Sequence, residues 1–491
     1  MGSILVARFL GSTSYGELTI ASIPISIATL FGDLGISSGL VKYISQFRKE
    51  ERSGDIKVLV RIGLLINTSV SLLLFSIIFL TSGILASTIF HQPEIQILIQ
   101  VSSFNLVAQS LIKTTRSIFI GFEKMEFFSS TVIVNSILRS VLSPLLVYMG
   151  LGSFGAVVGY TTTFIITGVL GITLVLFVLY KPLMEGGTSI NYRDGFELLL
   201  LFGYPIFLST IVSGALSQVY NFLMAVHVDP FNIGNYKAAT NFTTIVTFFS
   251  LPIGTVLFPL FSKLDYREDK MLASVFQNSV KYSALIIVPV TTVLMLVSEP
   301  LVRIVYGDSY PLTANFLKLL LIDYLFVGLG KLNVRTLLIG QGKTKFTFLT
   351  HVLSFSLGLP ISLYMIPRFG IVGLLMTMIV VPRAGLFCGL WWIKRTFGFM
   401  FNMKTSAKIY LSSAISYLTT YYLLDIINLG DWQELFLGGG LFILLYLVMI
   451  LVLRTLYLDD IQNLRRILGA MGPLTPIFNI FLTFFENILK R

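Results

Sequence analysis

Apolar stretches of about twenty residues recur from one end of the chain to the other, separated by short polar connections. About 20 such residues cross the ~30 Å hydrocarbon core of a bilayer as a helix. The pattern predicts spans near 15–40, 57–88, 95–121, 126–149 and 154–180. A polar connection follows, Lys181 to Asp194. The second half gives spans near 203–228, 234–261, 274–297, 311–340, 345–366 and 370–393, with two more near 406–427 and 435–456. A first span is incomplete: only MGSILVA precedes Arg8, whereas its counterpart near 203–228 is full length. The expectation is a chain that begins inside its first helix and makes fourteen crossings. No basic n-region or A-x-A-like site marks a cleavable signal peptide. A membrane β-barrel would show segments of about ten residues with alternating polarity instead. The fold class expected is all-α and polytopic.

The spans fall into two related sets. RSIFIGFEKMEF, from Arg116 to Phe127, returns as RTLLIGQGKTKF, from Arg335 to Phe346. Arg116/Arg335, Ile120/Ile339, Gly121/Gly340, Lys124/Lys343 and Phe127/Phe346 match at an offset of 219. Tyr15 to Glu51 and Ile233 to Asp269 share a second shape at an offset of 218: a glycine (Gly16, Gly234), an apolar stretch, then a charged one. The chain reads as two six-span lobes plus an extension. Residues 1–181 form the first lobe, 182–202 a cytoplasmic hinge, 203–396 the second lobe and 404–457 two added spans. The tail, 458–491, carries Arg465, Arg466 and the run IFNIFLTFF, too short to span. It reads as an interfacial amphipathic helix; a helix packed under the bundle is the alternative.

Charge adds an orientation. One set of loops holds Lys42, Arg48, Lys49, Arg52, Lys57, Lys124, Lys181, Arg193, Lys263, Arg267, Lys270, Lys343, Lys345, Lys394, Arg395 and Lys404. The opposite set holds Arg8, Arg303 and Arg368. The first set is expected in the cytoplasm, with both termini. A repeat of six spans, an even number, makes the lobes parallel, related by a pseudo-two-fold axis along the membrane normal. Charged residues are 12% of the chain, against about 25% in a soluble domain. The net charge of +11 lies in these short loops, so orientation explains it better than nucleic-acid binding. One cysteine, Cys388, excludes an internal disulfide and a cysteine-based metal site. His91, His227 and His351 are scattered, and no metal or other cofactor is expected. GQGKT at Gly340–Thr344 resembles the end of a phosphate loop, but Leu337 stands where that motif needs glycine.

Charges inside spans are the informative ones, because each is costly unless it faces water or a partner. Lys113 and Arg116 lie three apart and share a helix face; Lys331 and Arg335, four apart, do the same in the second half. At ~1.5 Å per residue, Arg116 lies about 12 Å from Lys124, within the hydrocarbon, and Arg335 equally far from Lys343. Arg139, Lys237, Lys318 and Arg383 add positive charge at depth, against mainly Asp33 and Asp323. Excess cation around a cavity implies an anionic substrate such as a phosphate or pyrophosphate. Its candidate contacts are Lys113, Arg116, Arg139, Lys237, Lys331, Arg335 and Arg383, with Asp33 and Asp323 as candidate ion-coupling groups. The plainer alternative is that Lys113, Arg116, Lys331 and Arg335 snorkel to the interface as anchors. Arg139 and Arg383 sit nearer mid-span, where snorkelling explains less. Pro24, Pro144, Pro205, Pro252, Pro289 and Pro382 would bend their helices.

At this point the chain resembles a family. VARFLGSTSYGELTIASIPISIATLFGDLGISSGLVKYI, with Arg8-Phe9-Leu10-Gly11, Tyr15-Gly16 and Asp33-Leu34-Gly35, looks like the opening of Wzx-type polysaccharide biosynthesis proteins. These are oligosaccharide flippases of the multidrug/oligosaccharidyl-lipid/polysaccharide exporter superfamily. VYGDSYPLTANFLKLL, Val305–Leu320, is similar to that family's loop before its tenth helix. The resemblance implies two six-helix lobes around a central cavity, plus two helices. It implies a plasma-membrane protein that moves a lipid-linked oligosaccharide to the outer leaflet by alternating access. The phosphate would meet cavity cations and the polyprenyl tail would stay in lipid. Other glycan-assembly membrane proteins are implied partners. A sister reading is a cation-coupled multidrug antiporter, which tends to carry a carboxylate in its first or seventh helix; PIFLSTIVSGALSQVYNFLMAV has none. A membrane glycosyltransferase or polymerase would want acidic or histidine clusters in a large outer loop. The stretch 298–311 offers only Glu299 and Asp308.

Overall fold

The computed structural model describes residues 2–180, 190–264, 270–427 and 429–456, together with 460, 465 and 483. Among them the regular structure is all helix. In order come α1 (Gly2–Thr29), α2 (Ile36–Lys49), α3 (Ser53–Ile84), α4 (Gln96–Gly121), α5 (Met125–Leu146), α6 (Gly152–Leu174) and α7 (Tyr192–His227). Then follow α8 (Pro230–Lys263), α9 (Lys270–Leu296), α10 (Ser298–Tyr306), α11 (Thr313–Leu325), α12 (Lys331–Gly340), α13 (Thr344–Phe397), α14 (Met403–Ile426) and α15 (Asp431–Val452). Among the described residues, 8 helical stretches are long and apolar enough to cross a membrane. Two of them run for 54 residues, about 80 Å at ~1.5 Å per residue, enough for two crossings each. Each bends at glycine: Gly150 (φ 90°) in 125–178 and Gly370 (φ 55°, ψ −132°) in 344–397. Past Gly370, α13 folds back so that Gly385 lies against Thr350 and Ser354. The protein is a multi-pass α-helical membrane protein.

Two predicted spans are broken. The stretch 15–40 divides between α1 and α2 across FGDLG, whose glycines and aspartate are poor helix formers. Leu34 and Gly35 there adopt φ of 48° and 78°. The stretch 311–340 divides between α11 and α12 at a short 3₁₀ turn, Phe326–Leu329, ending in Gly330 at φ 85°. Carbonyls freed within a membrane need internal donors. Here α14 supplies them: Ser406 Oγ donates to the Gly328 carbonyl at 2.8 Å, and the Tyr410 hydroxyl to that of Leu325. Helix α7 begins at Tyr192, earlier than the span expected near 203–228. Residues 182–189 of the expected hinge, and all of the expected interfacial tail but 460, 465 and 483, lie outside the described residues.

The helices cluster into two compact units. One holds the chain up to Asn241 with Val305–Phe316 and Phe355–Thr377; the other holds Phe242–Ile304, Leu317–Ser354 and the chain from Met378. In the first, Ile36, Leu40, Ile44 and Phe47 recur at helical spacing on α2. They pack against Ile56, Leu59 and Ile62 of α3, Ile118 and Phe119 of α4, and Leu199 of α7. The other face of α3 stays apolar and exposed, with Leu65, Leu73, Ile77, Leu80 and Ile84, as lipid contact requires. The second unit's core joins Phe261 of α8, Phe276 of α9, Val334 and Leu337 of α12, and Leu390 and Ile393 of α13.

The twelve-residue repeat folds into the same turn twice. After α4, the Glu123 amide donates to Ile120 at 2.9 Å and the Lys124 amide to Phe119 at 2.9 Å. After α12, Gly342 donates to Ile339 at 2.9 Å and Lys343 to Leu338 at 2.8 Å. The turning residue is left-handed in both, Glu123 at φ 57° and Gly342 at φ 69°. Glycine adopts that conformation freely and other residues do so at a cost of roughly 1 kcal/mol. Gly342→Ala is therefore expected to destabilise the detergent-solubilised protein by about 1 kcal/mol. Its thermal unfolding midpoint, compared with wild type, checks this.

Candidate functional site

The first unit holds an open cavity of about 390 Å³, lined by α1, the turn before α2, α3, α4, α5 and α6. Its charged lining is Asp33, Lys113 and Arg116, two cations against one carboxylate among the described residues. The break between α1 and α2 puts Asp33 there. Its Oδ1 accepts the Ser37 amide at 3.0 Å and the Ser37 hydroxyl at 2.5 Å, closing the start of α2 as a helix-capping carboxylate does. Asn67 Nδ2, from α3, approaches the same oxygen at 3.3 Å. The other oxygen, Oδ2, pairs with Lys113 Nζ at 2.7 Å.

Helix α4 carries the cations. Lys113 and Arg116 share the face that also turns Gln109 and Ser110 to the cavity. Arg116 has no carboxylate within ion-pair distance among the described residues. It is held by α5, donating from Nε to Thr131 Oγ1 at 3.1 Å and from a terminal nitrogen to the Thr131 carbonyl at 3.3 Å. Those two bonds fix the stem and leave further guanidinium donors unused, since arginine carries five. Asn67 and Asn135 complete the polar wall. Asn67 Oδ1 is buried with no hydrogen-bond partner among the described residues. The arrangement offers an anion a fork and an ammonium, and offers hydroxyl groups several amide and hydroxyl partners.

A second cluster lies in the other unit. Asp323, near the end of α11, accepts from Lys331 Nζ and from an Arg383 terminal nitrogen. Arg383 is buried, stacks 3.8 Å above the Phe326 ring and donates from Nε to the Ile379 carbonyl at 2.9 Å. Lys318 pairs with Glu299 at 2.6 Å, and Arg303 with Asp431 at 2.8 Å. The first of these bonds holds the Glu299 carboxyl below the usual range.

The candidate residues thus divide. Asp33, Lys113 and Arg116 meet in one cavity; Asp323, Lys331 and Arg383 form a separate knot. Arg335 is exposed on α12, without a carboxylate within ion-pair distance among the described residues. Arg139 and Lys237 are also exposed, Arg139 with its guanidinium 5.1 Å from the Tyr160 ring. None of these three joins either cluster. Each aspartate pairs with a candidate cation, a relation that charge counting alone did not reveal. Asn67, Gln109, Asn135 and Thr131 went unnoticed as well. Their signal was available: uncharged polar residues recurring on one face of apolar helices.

The profile of the family described as polysaccharide biosynthesis protein matches residues 5–315. A Shigella flexneri protein assigned as an O-antigen transporter is 23% identical over 381 residues, covering 75% of this chain and 87% of that one. Among solved structures, the lipid II flippase MurJ in an inward closed conformation superposes with a TM-score of 0.73 at 17% identity. That likeness covers 92% of this chain and 95% of MurJ. An inward-facing multidrug resistance MATE transporter superposes with a TM-score of 0.62 at 16% identity, covering 81% of this chain and 93% of that one. At these identities the superpositions establish the shared helical fold. With its profile matched over more than half its length, the chain belongs to the polysaccharide biosynthesis protein family.

Proposed function

We propose that the protein is a flippase. It moves a polyprenyl-phosphate- or polyprenyl-pyrophosphate-linked oligosaccharide from the cytoplasmic to the outer leaflet of the plasma membrane, for glycan assembly. The observation that carries this reading is the net-positive cavity formed by Asp33, Lys113 and Arg116 inside a membrane-spanning unit. Arg116 would grip a phosphate through its planar fork and Lys113 would add a point charge. Asn67, Gln109 and Asn135 would meet sugar hydroxyls, which both donate and accept. The prenyl tail would remain in the bilayer. Alternating access between two lobes, with both termini in the cytoplasm, completes the cycle. The work done is transfer rather than chemistry on the glycan, and other glycan-assembly membrane proteins would supply and consume the substrate. The family and the O-antigen transporter relative support this reading.

The MATE likeness favours a second reading, a cation-coupled drug antiporter. Two observations weigh against it. The bilayer stretch of α7 lacks a carboxylate, and Asp33 already accepts from an amide, a hydroxyl, a side-chain amide and an ammonium. Such a carboxylate is better suited to anchoring Lys113 than to exchanging cations.

The test is transbilayer movement of a fluorescent polyprenyl-pyrophosphate oligosaccharide in proteoliposomes. Transfer faster than in empty liposomes supports the flippase. No transfer by folded protein, together with drug resistance in expressing cells, would replace it with the antiporter.

A further inference from the structure

The glycines at equivalent positions of the two repeats, Gly16 and Gly234, meet in the folded chain. Helices α1 and α8 cross there with their backbones in contact. A Cβ on Gly16 would lie 1.8 Å from the Pro230 carbonyl oxygen, and one on Gly234 would lie 1.8 Å from that of Ser12. Ser12 and Pro230 are themselves 218 residues apart, the offset that relates Gly16 to Gly234. The contact is therefore reciprocal: each repeat's glycine rests on the other repeat's carbonyl, as a two-fold relation requires. Every residue of the contact belongs to the first unit.

Around this point the seam is closed by a few polar bonds. The Tyr310 hydroxyl donates to the Ala7 carbonyl at 2.6 Å. Asn241 Nδ2 reaches the Tyr306 hydroxyl at 3.0 Å and the Tyr15 hydroxyl at 3.3 Å. The three tyrosines are buried. The seam lies on the side that the distribution of lysine and arginine assigns to the exterior.

We propose that this seam is the outer gate, closed here, and that Gly16 and Gly234 are the contacts on which it closes. Its role in transport rests on the flippase reading; its closure is a matter of helix packing. Both obstructing atoms are backbone carbonyl oxygens, so no change of rotamer makes room for a side chain. A bulky residue at either position must part α1 from α8. The seam's polar bonds are few enough to break and re-form, and packed contacts of this kind have discrete closed and open arrangements.

Ser12→Cys, made together with Cys388→Ser, reports on the seam, because Ser12 is 5% exposed. Intact cells are treated with a membrane-impermeant maleimide, and labelling is followed over time. Adding Gly234→Leu is expected to raise the labelling rate about tenfold by shifting the population towards open. Adding Gly254→Leu, on the same helix but with nothing within 4 Å of its Cβ position, is expected to leave the rate unchanged. Gly16→Ala and Gly234→Ala should give intermediate rates, and they carry the test if the leucine variant fails to fold. Unchanged labelling in folded glycine variants overturns the gate, as does an equal rise from Gly254→Leu. Because labelling uses no glycolipid, this result is independent of whether the protein flips one. Unchanged labelling beside intact transfer removes the gate and leaves the flippase.

Discussion

Arg116→Ala is expected to lower glycolipid transfer in proteoliposomes by about 100-fold, close to the empty-liposome background. A charge-assisted hydrogen bond contributes about 1.5–3 kcal/mol, and a tenfold effect corresponds to about 1.4 kcal/mol. Loss of a two-pronged contact with phosphate therefore reaches that size. Folding should be spared: the side chain's two protein bonds both go to Thr131, which also donates to the Phe128 carbonyl at 2.7 Å. Arg116→Lys keeps the charge without the fork and should fall between alanine and wild type. Arg335→Ala should change transfer by less than about threefold, because Arg335 lines no part of the cavity and joins neither charged cluster. The repeat gave the two arginines equal weight, whereas the cavity gives Arg116 far more. Full transfer by a folded Arg116→Ala protein would remove the phosphate contact from this site.

Local signals were readable along the chain; distant pairings were not. Long apolar runs place α3 to α6 and α8 within a few residues of their expected ends, because burial in lipid depends on composition over about twenty residues. That same averaging passes over FGDLG and FVGLG, so the breaks beside Asp33 and Asp323 went unseen. The shared face of Lys113 and Arg116 was readable because three-residue spacing is local to a helix. The Lys113–Asp33 bond was not, since its partners come from α4 and from the turn before α2. The twelve-residue repeat was readable as a likeness, and its physical content proved to be a left-handed turn formed twice. The Gly16–Gly234 correspondence was visible as well, but that the two glycines touch each other follows only from the fold.

Asp323→Ala is expected to destabilise the detergent-solubilised protein by about 3 kcal/mol, near the low end for breaking a buried ion pair. Among the described residues Asp323 is the carboxylate paired with both Lys331 and Arg383. Without it, two cations are left facing one another in a membrane-spanning unit. The low end applies because exposure is uneven: Arg383 is 8% exposed, Asp323 28% and Lys331 24%. The lysine, on a long flexible stem, can turn its ammonium outward and recover part of the loss. Arg383 cannot escape that way, being buried against Phe326. A triple replacement, Asp323→Leu with Lys331→Met and Arg383→Met, removes all three charges and should restore stability to within about 1 kcal/mol of wild type, because an ion pair and an apolar group of similar size can be nearly equivalent. Thermal unfolding midpoints of the three proteins measure both effects; an Asp323→Ala protein as stable as wild type would refute the coupling. The same triple variant separates bracing from transport. Retained transfer makes the knot a brace between α11, α12 and α13. Lost transfer in an equally stable protein places these charges on the substrate's route, where losing the two cations and their carboxylate, a net single positive charge, has a cost that packing cannot restore.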